Sequence, residues 1–482
     1  MNWFVFWIII YLVVIAWFAF RHVRKGDIDN YLVNNRNTRT LPLVFTTLAT
    51  FVGGGTSIGL IAMGYESGFA AVGIGVAYVI GFFIVSRYAA LIHSRGRTLN
   101  LYSFPEFLNR HFSKNAEPGF TRSFSAVVSG VNIFIFFFLL AAQFVGMATL
   151  LKLAFNIAYL EAAIISCMVV IAYTAIAGLS GVIITDTIQF IVIIIMIILM
   201  FIPGIWSDTG GLSRLSELPE SFLTGTEYGW AFILGLPLFL APSVMVRMDI
   251  WQRLLAAKSE KVARRVSIYS GLGMLPFYVI FPLVGMAVYL KNGNSLDPKE
   301  SIWIFLEGHA SPFMLAFAVV GLLSALMSSG DSFLNLVSIS SVRDFTGWGS
   351  KQKAERNVKL ERRKILITTF VFGIIAMVVA LIFPYIVDLM VIGLATIVIF
   401  APITFLALSL KDASRYKKLA MASILSGFIV NLAFFIAGLL YPGYIEIKAS
   451  FIPAFIVASL VLLVGMIIKV KMNDRRRNKS KI

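Results

Sequence analysis

Long apolar blocks constrain this 482-residue chain more than any other feature of its sequence. Crossing the hydrocarbon core of a bilayer takes about 20 apolar residues in an α-helix, and irregular backbone is not tolerated against lipid. We therefore predict an all-α polytopic membrane protein with about 13 transmembrane helices, forming a single transmembrane domain over residues 1–482. The blocks lie near residues 3–20, 43–65, 69–92, 123–151, 158–177, 181–205, 229–247, 267–290, 312–340, 364–384, 387–409, 418–441 and 450–470.

Positive charge is concentrated on one side of the predicted membrane. The formal net charge is +17, and 35 of the 41 Lys and Arg residues fall on the side of the carboxyl terminus when thirteen spans are threaded. Because cytoplasmic loops carry the excess of Lys and Arg, we expect a protein of the cell membrane with its amino terminus outside and its carboxyl terminus in the cytoplasm. The basic segments are 21–41, 93–122, 247–265, 343–364, 411–418 and 469–481.

The basic tail at 471–482 has two possible interpretations. Clustered Lys and Arg residues attract nucleic acid in some proteins, but next to a predicted span they also fix membrane topology. The second interpretation fits the charge distribution of the whole chain. We therefore expect the tail to contact anionic membrane lipid and expect no nucleic-acid partner.

Two predicted spans contain residues that interrupt helices. The second holds "FVGGGTS" at 51–57, and the seventh holds "FLAPSV" at 239–244 with Pro242 in its middle. Glycine costs a helix about 1 kcal/mol relative to alanine, and proline removes a backbone donor. Interruptions at corresponding positions of two halves indicate an inverted-repeat transporter whose unwound backbone faces a small ligand. The alternative is that glycine and proline are simply common in membrane helices.

The ninth span carries polar side chains at helical spacing. Small polar residues often hydrogen-bond between membrane helices, which would explain the serines here but not the carboxylate of Asp331. An ionisable group at this depth is costly and by default indicates an ion or proton site. A second acid, Asp186 in the sixth span, fits a helix N-terminal cap as well as it fits a functional role. One face of the ninth span is formed by Ala325, Ser328, Ser329 and Ser332.

No pattern of catalytic residues accompanies these features. The sequence has no Gly-x-Ser-x-Gly elbow, no phosphate-binding loop, no metal-ligand spacing among its four histidines and only one cysteine, Cys167. We therefore predict that the protein is not an enzyme. A transporter without a phosphate loop must be driven by an ion gradient or run downhill.

Five segments, in order along the chain, resemble the sodium:solute symporter family, which contains sodium–proline, sodium–sugar and sodium–sialic acid transporters. The resemblance runs from about residue 27 to residue 410. One segment departs from the family pattern, because Ala177 stands where a glycine is usual. The segments are "DNYLVNNRNTRTLP", "TLNLYSFPEFLNRHF", "YTAIAGLSGVIITDTIQ", "DIWQRLLAAKS" and "SALMSSGDSFLN".

The resemblance implies a LeuT-like fold with a 5+5 inverted-repeat core. The first repeat would occupy residues 43–205 and the second residues 229–409. One extra helix at 3–20 would precede the core, and two extra helices within 418–470 would follow it. The implied function is symport of a small organic solute into the cell with sodium, by alternating access.

The resemblance also implies the ion ligands. Two sites are implied. In the first sodium site, Gly55 is an alternative to Val52, because the segment before the glycine-rich break is shorter in this sequence than in its relatives. A second site for a cation or a proton would use Asp186, Asp331 and Ser332. The first sodium site would be formed by Ala49, Val52, Ala325, Ser328 and Ser329.

The solute site is implied at the glycine-rich break, largely through backbone groups. We expect sodium as the coupling ion and a small, compact organic solute, with no obligate protein partner. Two alternatives stay open: a proton-coupled symporter of the same fold, and a membrane sensor or scaffold that has lost transport. The candidate solute-binding residues are Gly53, Gly54, Gly55, Thr56, Gln143 and Ser243.

Overall fold

The computed structural model describes residues 2–22, 28–346, 358–410, 412–441, 444–445 and 447–479, so residues 480–482 of the predicted basic tail lie outside it. Within these ranges the chain is helical, and the only β-type pairing is one isolated bridge between Thr38 and Ala257. The helices are α1 (Trp3–His22), α2 (Ile28–Val33), α3 (Thr40–Phe51), α4 (Leu60–Ser67), α5 (Ala70–Thr98), α6 (Phe104–Phe112), α7 (Pro118–Phe155), α8 (Tyr159–Met196), α9 (Ile202–Asp208), α10 (Glu220–Thr224), α11 (Gly229–Phe239), α12 (Ala241–Val246), α13 (Met248–Ala256), α14 (Glu260–Asn292), α15 (Ser301–His309), α16 (Pro312–Ile339), α17 (Val358–Ile382), α18 (Ile386–Ile397), α19 (Ala401–Ser409), α20 (Lys417–Leu440) and α21 (Phe451–Lys479).

Nine segments of the described chain are each long and apolar enough to cross a membrane, and two bent helix pairs qualify when each is taken as one span. Two shorter apolar helices, Trp3–Phe18 and Tyr159–Ala175, coincide with the predicted first and fifth spans. The all-helical, multi-pass class is therefore confirmed, whereas the number thirteen stays a prediction. The nine segments are Ala70–Thr98, Pro118–Phe155, Gly178–Asp208, Glu260–Asn292, Pro312–Phe345, Leu360–Ile382, Ile386–Ser409, Ser414–Leu440 and Phe451–Met472.

One glycine separates the predicted fifth and sixth spans. Helix α8 runs through both, but Gly178 inside it has a φ of 58° and a ψ of −174°, which kinks the helix. A positive φ suits glycine, which has no Cβ, and a Cβ at this position would collide with the ring of Tyr31. The helix therefore changes direction between the two apolar blocks.

The predicted interruption of the second span is present. Helix α3 ends at Phe51, the chain bends by 60°, and a π-helical turn at Gly55–Gly59 leads into α4. Gly54 nevertheless keeps right-handed helical dihedrals, with φ −52° and ψ −38°. The glycines here provide space more than unusual backbone angles. A Cβ on Gly53, for example, would lie 2.8 Å from the side-chain oxygen of Gln143.

Within the predicted segment 239–244, α11 ends at Phe239 and α12 begins at Ala241, but Leu240 between them keeps helical dihedrals (φ −86°, ψ −37°), so the large bend of the seventh span lies elsewhere. The 49° bend falls at Arg247, whose extended backbone (φ −73°, ψ 122°) joins α12 to α13. Pro242 occupies the first turn of α12, where the missing N–H would have had no helical partner in any case. Proline therefore marks the start of a helix here and not the bend.

Two arginines that the sequence analysis assigned to the basic segment 247–265 lie inside the helix bundle. The relative exposure of Arg247 is 4% and that of Arg253 is 1%, and all nine residues of α13 are buried. Their burial was not predicted from the sequence. Each has an acidic partner, Asp249 for Arg247 and Asp186 for Arg253, and a hydropathy pattern does not reveal such neutralising contacts.

Two glycines let α14 approach α4 closely. A Cβ on Gly64 would collide with backbone atoms of Pro282, and a Cβ on Gly285 would collide with backbone atoms of Ile61 and Tyr65. Small residues at such crossings are the usual means of packing membrane helices, because backbones can then meet directly. This crossing holds the second half of the broken second span against the eighth span.

We expect Gly285→Ala to destabilise the protein, because the added methyl meets backbone that cannot rotate away. Overpacking of this kind costs about 1–3 kcal/mol. Thermal unfolding of the purified protein in detergent should therefore shift to a lower temperature. Gly119→Ala is the matched control, since nothing lies within 4 Å of a Cβ there. Equal melting temperatures for the two variants would show that the crossing tolerates a side chain.

Candidate functional site

Helix α16 contacts the end of α3 through two adjacent serines. The hydroxyl of Ser328 donates to the carbonyl oxygen of Ala49 at 2.9 Å, and the hydroxyl of Ser329 donates to that of Thr50 at 2.7 Å. Both hydroxyls also lie near the carbonyl oxygen of Ala325, at 3.0 and 3.3 Å. The structure thus brings together four of the five residues predicted to hold the first sodium.

The fifth predicted ligand, Val52, follows α3 directly and is fully buried, three residues beyond Ala49. Its rival, Gly55, begins the π-helical turn and lies against Met390. The predicted set of three carbonyls and two hydroxyls contains only uncharged oxygens. Such a set at a helix break can replace part of the hydration shell of a sodium ion.

A second polar cluster lies next to these serines, where α3 and α16 meet α8 and α13. One carboxylate oxygen of Asp186 accepts a hydrogen bond from the hydroxyl of Thr46 and lies 3.7 Å from Nη2 of Arg253. One carboxylate oxygen of Asp331 accepts from the hydroxyl of Tyr173 at 2.9 Å. The remaining oxygen of each carboxylate, Oδ1, is buried and has no hydrogen-bond partner within the described residues.

Arg253 is the cation of this cluster. Its Nη2 donates to the hydroxyls of Thr50 at 2.6 Å and of Ser332 at 3.1 Å, so the third residue of the predicted second site already contacts a positive charge. Two carboxylates and one guanidinium leave a net charge of −1 when all are ionised. A buried net charge is costly, so the cluster favours one further cation or a proton.

A small cavity lies between the two breaks. Three of the predicted solute-binding residues, Gly53, Thr56 and Gln143, line it. Gly54 contributes indirectly, because its backbone N–H donates to the side-chain oxygen of Gln143 at 2.8 Å. The lining consists of Thr50, Phe51, Gly53, Thr56, Tyr78, Leu139, Gln143, Arg247, Tyr278, Ser329, Phe333, Met390 and Leu394.

Ser243 and Gly55 are not among the lining residues of this cavity. The hydroxyl of Ser243 is buried without a hydrogen-bond partner in the described part of the chain. Their assignment to solute binding stays a prediction. The cavity is also lined by Arg247, Tyr78 and Tyr278, which were not predicted from the sequence. The signal for Arg247 was available, since it directly follows the apolar residues "VMV" at the end of a predicted span.

The comparison with known families agrees with this geometry. A family model described as the sodium:solute symporter family matches residues 31–427. Sodium/proline symporter 2 of Staphylococcus saprophyticus is 25% identical over 360 residues, which cover 70% of this chain and 67% of the relative. A sodium/proline symporter of Staphylococcus aureus is 25% identical over 353 residues, covering 69% of this chain and 66% of the relative. The match thus spans about two thirds of the length of these relatives.

Solved structures agree on the fold. A sodium-coupled sialic acid symporter, in a substrate-bound outward-open state, superimposes with a TM-score of 0.78 at 16% identity and covers 96% of both chains. The nucleobase-cation-symport transporter Mhp1, in a closed conformation, gives 0.54 at 14% identity and covers 93% of this chain and 96% of its own. The fold is therefore the LeuT-like fold that the resemblance implied.

The motifs, the broken spans and the fold all indicate the same protein family. The family match covers most of the chain and includes both breaks, the paired serines and the two buried acids. Its members are secondary transporters and not enzymes, with sodium as the coupling ion. The chain belongs to the sodium:solute symporter family, which moves a small solute across the membrane together with sodium.

Proposed function

We propose that this protein carries a small organic solute into the cell with sodium, by alternating access to the cavity between the two breaks. The observation that carries this proposal is the contact of Ser328 and Ser329 with the carbonyl oxygens at the end of α3. These uncharged oxygens lie beside the cavity, and Ser329 also lines it. An ion and a solute bound there would be neighbours, so each could stabilise the other.

Sodium binding at this point would connect the two halves of the core. The proposed repeats are residues 43–205 and 229–409, with extra helices at 3–20 and within 418–470. Ala49 belongs to the first repeat and Ser328 to the second. An ion held by both favours the arrangement in which they are close, and its release allows one repeat to rock against the other.

The proposed placement in the cell membrane follows the distribution of charge. The amino terminus lies outside, the carboxyl terminus lies in the cytoplasm, and the basic tail contacts anionic lipid. No obligate protein partner is part of the proposal. Proline is the first solute to assay, because the relatives from Staphylococcus are sodium/proline symporters.

A second cation or proton bound by Asp186, Asp331 and Ser332 is part of the proposed cycle. The support is the pair of unpartnered carboxylate oxygens on Asp186 and Asp331, and the net charge of −1 that Arg253 leaves uncompensated. A second sodium would occupy the side of the cluster that faces these oxygens. A proton on Asp331 would balance the charge equally well, so protons and sodium compete there.

We expect the double variant Ser328→Ala with Ser329→Ala to raise the sodium concentration for half-maximal uptake by about tenfold or more, since hydrogen-bonding or ligating groups to a charge are worth about 1.5–3 kcal/mol each. Sodium-dependent proline uptake into reconstituted vesicles measures this. Ser341→Ala is the control, because that hydroxyl bonds only the carbonyl of Val337 in its own helix. Unchanged sodium dependence in the double variant would remove both serines from the ion site.

We expect wild-type uptake at fixed sodium to fall as the external pH falls, because protons displace the second sodium from Asp331. Asp331→Asn should abolish this pH dependence while uptake driven by the first sodium continues. The titratable and charged groups that face Asp331 are Tyr11, Tyr173, Asp186 and Arg253, and all four stay in place in the variant. The measurement is the initial uptake rate across a pH series.

The control for this variant is Asp297→Asn, since Asp297 caps a surface turn through the backbone N–H of Lys299. Its pH profile should match that of the wild-type protein. A wild-type pH profile in Asp331→Asn, with unchanged sodium dependence, would mean that the buried acid has a structural role only.

A further inference from the structure

Arg247 is the one charged side chain among the thirteen residues that line the cavity. It stands at the second break, between α12 and α13, so its position is set by the bend itself. Burying a cation at mid-membrane is costly, and residues of this kind usually have a function with an identifiable partner. The chemistry of its surroundings therefore bears on what the cavity accepts.

Asp249 fixes the guanidinium without using all of it. The carboxylate of Asp249 accepts from Nε of Arg247 at 3.0 and 3.2 Å and from Nη2 at 2.6 Å. The third nitrogen, Nη1, has no hydrogen bond to any of the described residues, and Arg247 lines the cavity. Two donors of Arg247 therefore remain for a ligand in the cavity.

The guanidinium of Arg247 also lies over the aromatic ring of Phe51. Its central carbon lies 4.1 Å from the centre of the Phe51 ring, and one oxygen of Asp249 accepts from the backbone N–H of Ile250 at 3.0 Å. Arginine stacks on aromatic rings and binds carboxylates through paired donors, so a fixed fork loses little entropy when a ligand arrives. The arrangement is prepared for an acceptor group.

The rest of the lining is apolar, aromatic or already hydrogen-bonded. The Tyr278 hydroxyl pairs with that of Thr56 at 3.3 Å, and the side-chain oxygen of Gln143 accepts from Gly54. None of the thirteen lining residues carries a carboxylate. A cationic group on the solute would thus meet no counter-charge among them, whereas an anionic group would meet Arg247.

We propose that the transported solute bears a carboxylate, that Nη1 of Arg247 binds it, and that a compact apolar body packs among Phe51, Tyr78 and Tyr278. This inference rests on the proposed function, in which the cavity is the solute site. Arg247 and Asp249 neutralise each other, so the carboxylate would bring a charge of −1. A sodium ion at the neighbouring Ser329 would balance this negative charge, so prior binding of the ion would favour binding of the solute.

The test uses pairs of acids and their amides, which keep the shape and remove the negative charge; both members of the proline pair also carry an ammonium group. The probes are propionate and propionamide, cyclopentanecarboxylate and its amide, and L-proline and L-prolinamide. Each is added to the purified full-length protein in detergent, with sodium or with choline, and the melting temperature is measured.

We expect at least one acid to raise the melting temperature in sodium and not in choline, and its amide to do so only at about tenfold higher concentration or not at all. We also expect cyclopentanecarboxylate to act without an amino group. An amide as effective as its acid would overturn the assignment. So would the absence of any response to all three acids.

Arg247→Gln leaves Asp249 buried without its partner, so the variant could fail to fold for that reason alone. The double variant Arg247→Gln with Asp249→Asn removes both charges and avoids this problem. It should keep its sodium-dependent stabilisation and lose the response to acids by about tenfold or more. Arg214→Gln is the control, since Arg214 is exposed and pairs only with surface groups. An unchanged acid response in the double variant would overturn the proposal.

Uptake into vesicles separates this inference from the proposed function. Acid-dependent stabilisation without any sodium-driven uptake would overturn the transport proposal and leave the carboxylate site standing. Sodium-driven uptake of the amide as fast as the acid would overturn the carboxylate site and leave the transport proposal standing.

Discussion

Two membrane helices of this protein are broken, and the backbone groups freed at each break can be satisfied only by other parts of the protein, because lipid offers no hydrogen bonds. At the first break, the hydroxyls of Ser328 and Ser329 meet carbonyl oxygens of α3, and the side chain of Gln143 accepts from Gly54. The groups that stabilise the break are thus the groups that a bound ion or solute would use. The same polar atoms therefore stabilise the break and would contact a bound ion or solute.

Charged side chains buried in the bundle also need partners within the protein. Arg247 is neutralised by Asp249 at the second break. Arg253 is paired with Asp186 and also donates hydrogen bonds to hydroxyls on two further helices. Removing either arginine alone would leave a buried carboxylate, which is far more damaging than losing the pair. The contacts of Arg253 therefore tie α13 to α3, α8 and α16.

The sequence was sufficient for the elements that depend on local pattern. Apolar length predicted the spans, glycine content predicted the first break, and helical spacing predicted the face that carries Ser328 and Ser329. It was insufficient where distant residues decide the outcome. Pro242 was expected to break the seventh span, yet a proline in a first helical turn costs little, and the bend lies at Arg247. Arg247 and Arg253 were counted in a basic segment between spans, and their burial was not predicted because their acidic partners cannot be recognised from hydropathy.

The uncharged character of the oxygens around Ser328 has an electrical consequence. A sodium ion bound by carbonyls and hydroxyls keeps its whole charge, whereas a carboxylate ligand would cancel it. Moving one elementary charge through a potential of 100 mV is worth about 2.3 kcal/mol. A sodium ion bound there alone would therefore be driven inward by a potential that is negative inside. A sodium ion bound beside an anionic solute would form a neutral pair, and the potential would do no net work on that pair as the site reorients.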